Sequence, residues 1–291
     1  MKPAPFKYHR AETLDDATGM LAELENARLL SGGQSLMPMM NLRYVAVDHL
    51  IDINPVAALA GISIEDNHLR IGGMTRQRSV LESDRIVARA PIIREALGFV
   101  GHVQTRNRGT VGGSLAHMDP SAELMGLASL MDAEISMTSR GGERRVAITD
   151  YPLGYMTPNI EPDEILSEVR FDLWPDGHGW DFREFAQRHG DFAIVGVGSL
   201  LSLDNGGRIE RAAVTLIGVD DGPIRLGDVE AALVGEPPGE DVFQAAGNMA
   251  AKRELMGDAL VTSAYRQKLA DVLVRRSLAR AAERVGEAAD A

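Results

Sequence analysis

Two short runs carry residue types suited to holding an anion: Ser31-Gly32-Gly33-Gln34-Ser35-Leu36, and, further along, Thr110-Val111-Gly112-Gly113-Ser114. Each joins two glycines to hydroxyl side chains, and each is predicted to lie between a strand and a helix. Glycine allows positive φ and lets main chain approach a ligand closely. Successive amides in such a turn form an anion-binding nest, and a following helix adds its positive end. Two such runs in one acidic chain predict a long, diphosphate-containing ligand gripped at two places. Neither run fits G-x-G-x-x-G or G-x-x-x-x-G-K-S/T, which argues against a Rossmann site and a P-loop. On loop chemistry alone, two ordinary tight turns remain an equal alternative, because the chain has 30 glycines.

Composition bounds what can surround these runs. The chain has 291 residues, 45% hydrophobic and 25% charged, with a net charge of −12 and no Lys/Arg-rich block. That is a soluble globular profile with room for two or three domains, and a poor partner for nucleic acid or an anionic membrane. With no cysteines, disulfides and Cys-ligated clusters are excluded within this chain. No apolar run approaches a bilayer span and the N-terminus lacks a signal-peptide core, so a cytoplasmic location is expected. Seven histidines show no H-x-x-x-H or H-E-x-x-H spacing, so His102 and His117, which flank the second run, read as ordinary histidines rather than metal ligands.

The elements that must position the runs follow from pattern. Thr13 and Asp16 cap a helix with Leu14, Ala17, Leu21 and Leu24 on one face. A strand through Arg28–Leu30 enters the first run, Leu36 opens a short helix, and His49–Ile53 is a strand, giving β–α–β. Ile62, Ile64, Leu69 and Ile71 flank an Asp66-Asn67 hairpin turn. Residues 84–100 are predicted helical, with Pro91 as a point of division. Asp119-Pro120 is predicted to open the next helix as N-cap and first helical residue. A hairpin turns at Gly141-Gly142. Leu173–His178 reads as a linker. Strands at 180–188, 193–203 and 208–218 precede closing helices, the longest from Ser263 with Tyr265, Leu269, Val272 and Leu273 inward.

Leu29–Pro38 and Arg108–Glu123, with Asp163-Glu164-Ile165-Leu166, Gly190-Asp191-Phe192-Ala193, and Tyr265-Arg266 leading to Val274-Arg275-Arg276, resemble the flavoprotein medium subunits of molybdenum hydroxylases, the carbon monoxide dehydrogenase and xanthine dehydrogenase family. The resemblance spans nearly the whole chain, in order. It implies an α+β chain: a two-subdomain FAD-binding fold of the vanillyl-alcohol-oxidase/p-cresol-methylhydroxylase type over residues 1–175 (subdomains about 1–57 and 58–175), then a C-terminal α+β domain over 176–291. Ser114, where the xanthine dehydrogenase branch usually has asparagine, leans towards the carbon monoxide dehydrogenase-like branch. Residues 254–262 depart from the family pattern and are expected to form a divergent surface.

The same resemblance implies that Ser31 to Leu36 and Thr110 to Ser114 hold the diphosphate of a non-covalent FAD, and that Glu123 accepts from ribityl hydroxyls. It sets Leu166 near the isoalloxazine, with Arg188 and Phe192 beside the ring. Read bare, Glu123 is a first-turn glutamate, Leu166 and Phe192 core residues, and Arg188 a surface arginine. The implied partners are a small [2Fe–2S] subunit and a large molybdopterin subunit in a dimer of heterotrimers. This chain would pass electrons through FAD to an external acceptor, with no general acid, nucleophile or metal of its own. Two other readings stay open: a stand-alone FAD oxidase or dehydrogenase, and a non-catalytic nucleotide-binding assembly protein.

Overall fold

The computed structural model describes residues 1–286. Its opening unit is β1 (Lys7–Arg10), α1 (Leu14–Glu23), β2 (Ala27–Leu30), α2 (Leu36–Asn41) and β3 (His49–Asp52). Thr13 and Asp16 form the predicted capping box: the Thr13 hydroxyl accepts from the Asp16 N–H at 3.0 Å, and the Asp16 carboxylate accepts from the Thr13 N–H at 3.0 Å. The strands pair in parallel with β3 central, in the order β1-β3-β2. Ala17, Leu21, Ile51 and Ile53 fill one face and Met40, Val47 and Leu50 the other. Such two-sided burial is what a parallel sheet needs.

The middle unit begins with β4 (Ile62–Glu65) and β5 (His68–Gly72). Asp66 and Asn67 both take positive φ, +48° and +61°, at the hairpin turn, as short polar residues tolerate. Helices α3 (Gln77–Leu81), α4 (Asp84–Arg89), α5 (Pro91–Leu97), α6 (Val103–Arg108), α7 (Val111–His117) and α8 (Glu123–Leu130) follow, then β6 (Glu134–Ser139), β7 (Gly142–Ala147), the small ribbon β8 (Pro152–Gly154) and β9 (Thr157–Pro158), and β10 (Ile165–Asp172). The predicted 84–100 helix divides at Ala90, where ψ of 59° leaves the helical region ahead of Pro91. The antiparallel order β4-β5-β10-β6-β7 sets Leu69, Ile71, Ile135, Val169 and Phe171 in the largest core.

One expectation fails here. Asp119-Pro120 does not open α8, which starts at Glu123. Met118 ends α7 in the left-handed region at φ +51°, and the Asp119 carboxylate accepts from the Ser121 N–H at 2.9 Å. Asp119 is therefore used by a local turn before the helix begins.

The last unit is β11 (Gly179–Phe185), β12 (Val195–Leu203), β13 (Ile209–Ile217), β14 (Ile224–Arg225), α9 (Gly227–Leu233), α10 (Glu240–Ala251) and α11 (Ser263–Glu283), with an antiparallel sheet in chain order. Strand β12 is buried on both faces except at its end. Leu130 of α8 lies against Gly198 on one side, and α11 packs on the other. Every residue of α8 is buried, because the helix is wedged between two layers. The inward seam of α11 is Ala270, Leu273, Val274, Ser277, Leu278 and Ala281. Tyr265 is not inward as predicted: it is 43% exposed and meets Phe185 edge-on at 6.3 Å. Leu269 and Val272 are half-buried beside that seam. The connecting segment at 173–178 is packed, not free: Trp174 is 1% exposed, with the Arg211 guanidinium 4.2 Å over its ring.

Candidate functional site: two glycine runs in one cradle

The two runs meet. The hydroxyls of Ser31 and Thr110 share a hydrogen bond of 2.5 Å. A Cβ on Gly32 would stand 2.4 Å from the Arg108 carbonyl oxygen, and one on Gly113 would stand 3.3 Å from the Ser31 hydroxyl. The two runs expected to grip a ligand thus stand side by side, as two walls of one cradle.

The walls differ. The first run leaves β2, reverses through Gly33 at φ +72°, and enters α2 at Leu36. Only glycine takes that φ without strain. Gln34 folds back so that its amide donates to the Gly32 carbonyl at 3.1 Å. Among the described residues, the N–H groups of Gly32, Gly33, Gln34, Ser35 and Leu36 have no intrachain acceptor. Buried or half-buried amides do not stay unpaired without reason. These are half-buried, apart from exposed Gln34.

The second run is not a loop after a strand, as predicted, but the first turn of α7, entered from α6. Its glycines are helical and do not use positive φ. Its amides already have acceptors: Val111 donates to Thr75 O at 3.0 Å, Gly112 to Gly73 O at 2.8 Å and Ser114 to Thr110 O at 3.2 Å. The Gly113 N–H is capped by the Thr110 hydroxyl at 3.1 Å. Gly112 is glycine because a Cβ there would stand 2.7 Å from Gly73 Cα. Gly73 in turn faces Leu166, whose carbonyl oxygen would lie 2.2 Å from a Cβ at 73. Leu166 is buried behind this stack, so its main chain helps to shape the cradle wall.

Beyond the cradle, the start of α8 brings in Glu123, 9% exposed. Burial pushes its carboxyl up to about 8, opposed by a hydrogen bond from its own backbone N–H and by Arg106 and helped by the charges of Glu184 and Asp119. Glu184 on β11 is itself pushed up to about 7 by burial, and its Oε2 is buried without a hydrogen-bond partner among the described residues. His117, at the end of α7, is held below its usual range by burial, partly offset by Asp119.

The segment after β11 places Arg188 and Phe192 outside the core. The Arg188 side chain is 82% exposed and pairs with Asp191 at 3.0 Å. Phe192 is 68% exposed, so the core alternative for it is excluded. Their loop lies against the start of α6: a Cβ on Gly190 would be 2.9 Å from the His102 ring.

Sequence reasoning missed Asn54, Gly73, Arg76 and Glu184. Gly72-Gly73 directly after a strand is a signal for close backbone approach; the other three carry no local motif. Among the described residues no cluster of His, Asp and Glu has metal-site geometry.

An open row of amides beside helix starts, backed by a wall that a single Cβ would fill, fits the diphosphate of a dinucleotide. The comparisons agree. Residues 4–174 match the family described as FAD binding domain in molybdopterin dehydrogenase, and residues 180–281 match the CO dehydrogenase flavoprotein C-terminal domain. The chain is 35% identical to the 6-hydroxypseudooxynicotine dehydrogenase complex subunit alpha of Paenarthrobacter nicotinovorans, covering 98% of this chain and 97% of that one. It is 34% identical to the carbon monoxide dehydrogenase medium chain of Afipia carboxidovorans, covering 98% and 99%. In the solved structure of reconstituted CO dehydrogenase from Oligotropha carboxidovorans, a chain 34% identical superposes with a TM-score of 0.94, covering 98% of this chain and 100% of that one. This chain belongs to the family of FAD-binding medium subunits of molybdenum hydroxylases, and is an oxidoreductase subunit.

Proposed function

We propose that this chain is the electron-transfer subunit of a heteromeric molybdenum hydroxylase, taking electrons from a [2Fe–2S] subunit and passing them through FAD to an external acceptor. FAD supplies the redox chemistry; the protein holds and orients it and sets its surroundings. The single observation that carries the reading is the cradle, with open amides at 32–36 facing a wall closed by the Ser31–Thr110 contact. Residues 32–36 donate amides to the diphosphate, while 110–114 give it a rigid, close-fitting boundary. Glu123, whose carboxyl burial pushes up to about 8, presents an acceptor to the ribityl hydroxyls. Leu166 packs towards the ring system, and Arg188 and Phe192, exposed on one loop, lie where a ring edge and a partner surface would meet.

In the same reading, residues 1–175, in two subdomains meeting near 57, hold the cofactor and 176–291 covers it. The molybdopterin belongs to a large partner subunit, where substrate is hydroxylated, and the assembly is a cytoplasmic dimer of heterotrimers. Relatives named for 6-hydroxypseudooxynicotine and for carbon monoxide match this chain over nearly its whole length, which supports assigning substrate choice to the large subunit.

The test is purification of the complex from its native host without stripping partners, with an absorbance spectrum and subunits resolved on a gel. Flavin and iron–sulfur bands with two co-purifying subunits are expected. Flavin without partners would replace this reading with a stand-alone flavoenzyme, and absence of flavin even after FAD addition would overturn it.

A further inference from the structure

Arg76 occupies an unusual place. Its guanidinium donates to the Asn54 side-chain carbonyl and to the Arg108 main-chain carbonyl. Asn54 in turn donates to Ser31 O at 3.0 Å and to Leu30 O at 3.3 Å, the residues that lead into the first run. The Arg108 carbonyl is the atom that Gly32 packs against, and Arg76 also forms a β-bridge with Thr110. One side chain therefore ties the entry of the first run to the entry of the second. Asn54 lies within the β1–β3 unit, whereas Arg76 and Arg108 belong to the middle unit, so the tie crosses from one to the other.

Its charge is the second observation. Both acceptors are neutral amide carbonyls, and among the described residues no carboxylate forms an ion pair with this guanidinium. Burial disfavours its charged form, Arg108 adds repulsion, and Asp52 attracts it only from a distance. A partly buried cation without a counter-ion normally finds one. In a chain of net charge −12, this cation is tied through Asn54 to the main chain that leads into the run whose amides are open.

We infer that Arg76 is a positioning residue for the anionic diphosphate: it fixes the two glycine runs at one spacing and adds positive charge beside them. The inference rests on the reading of the site as an FAD cradle. The guanidinium fork suits this task because it reaches two carbonyls at once while staying charged; lysine would keep the charge but satisfy one acceptor.

The test uses the full chain, freed of flavin and titrated with FAD by flavin fluorescence, with ADP and adenosine as competitors and unfolding of the flavin-free forms followed in urea. Arg76→Gln is expected to weaken FAD and ADP by about 10- to 100-fold, the size set by charge-assisted hydrogen bonds, and to leave adenosine unchanged. Arg76→Lys is expected to fall between, still preferring ADP over adenosine. Equal FAD affinity in wild type and Arg76→Gln overturns the inference, as does equal weakening of ADP and adenosine, which a merely structural role would produce. If Arg76→Gln does not fold, Arg76→Lys decides: a preserved ADP preference with weakened FAD supports the inference, and wild-type affinity for all three ligands overturns it. Failure of the unaltered chain to bind FAD overturns the reading of the site itself, and this inference with it.

Discussion

The two glycine runs look alike as strings and do opposite work. In 31–36 the backbone is left open: Gly33 turns through positive φ and the amides of 32–36 have no acceptor among the described residues. In 110–114 the backbone is the wall: its amides are bonded to Gly73, Thr75 and Thr110, and Gly112 is small because Gly73 leaves no room. The difference teaches that paired glycines near hydroxyls mark close backbone approach, and that the hydrogen-bond inventory decides whether a ligand or another part of the chain does the approaching.

The sharpest way to break the comparison is Gly112→Val. Backbone blocks the new side chain from backbone, so nothing cheap can move, and destabilisation of about 3 kcal/mol or more is expected. Urea unfolding should show that loss, and the purified chain should carry no stoichiometric FAD. Gly33→Val comes next. Its Cβ would meet the movable side chains of Leu30 and Met37 at 3.1 and 3.3 Å, leaving mainly the left-handed strain of about 1–2 kcal/mol. FAD retention should fail while most of the fold's stability remains. A variant that kept one FAD per chain would contradict the diphosphate assignment at that run.

Thr110→Ala should cost about 1 kcal/mol in unfolding free energy, because it removes the cap of α7. Ser31→Ala, which has no capping duty, should cost less. Similar losses for both would mean that the shared hydroxyl contact, rather than the cap, dominates.

The last expected effect is a pH slope. The Glu123 carboxyl, about 8 when folded against about 4.3 in an unfolded chain, binds its proton more tightly in the native state. Stability of the flavin-free chain should therefore fall as pH rises from about 5 towards 8, and Glu123→Gln should flatten that slope. An unchanged slope in the variant would shift the effect to Glu184, whose carboxyl burial pushes up to about 7.

Much of the fold was legible because local chemistry and tertiary structure agree. The Thr13–Asp16 box, the Asp66-Asn67 turn and the break before Pro91 are each set by a few neighbouring residues. The misreadings share a cause. Asp119 looked like a cap, but its carboxylate is taken by Ser121. Tyr265 looked like a core residue, but the seam of α11 runs through Ala270 and Val274. In the cradle, Gly112 stands out by its neighbours in sequence, whereas Gly73, its partner in space, is marked only by the Gly72-Gly73 pair at the end of a strand. The Asn54–Arg76 tie had no motif because it exists only once two units are folded together.

The most direct test is backbone amide hydrogen exchange on the full chain with and without FAD, read separately for the peptides spanning 31–36 and 110–114. The account predicts fast exchange in the first run without FAD and strong protection when FAD binds, against a second run that is already slow and changes little. Protection gained mainly at 110–114, or at neither run, would contradict it.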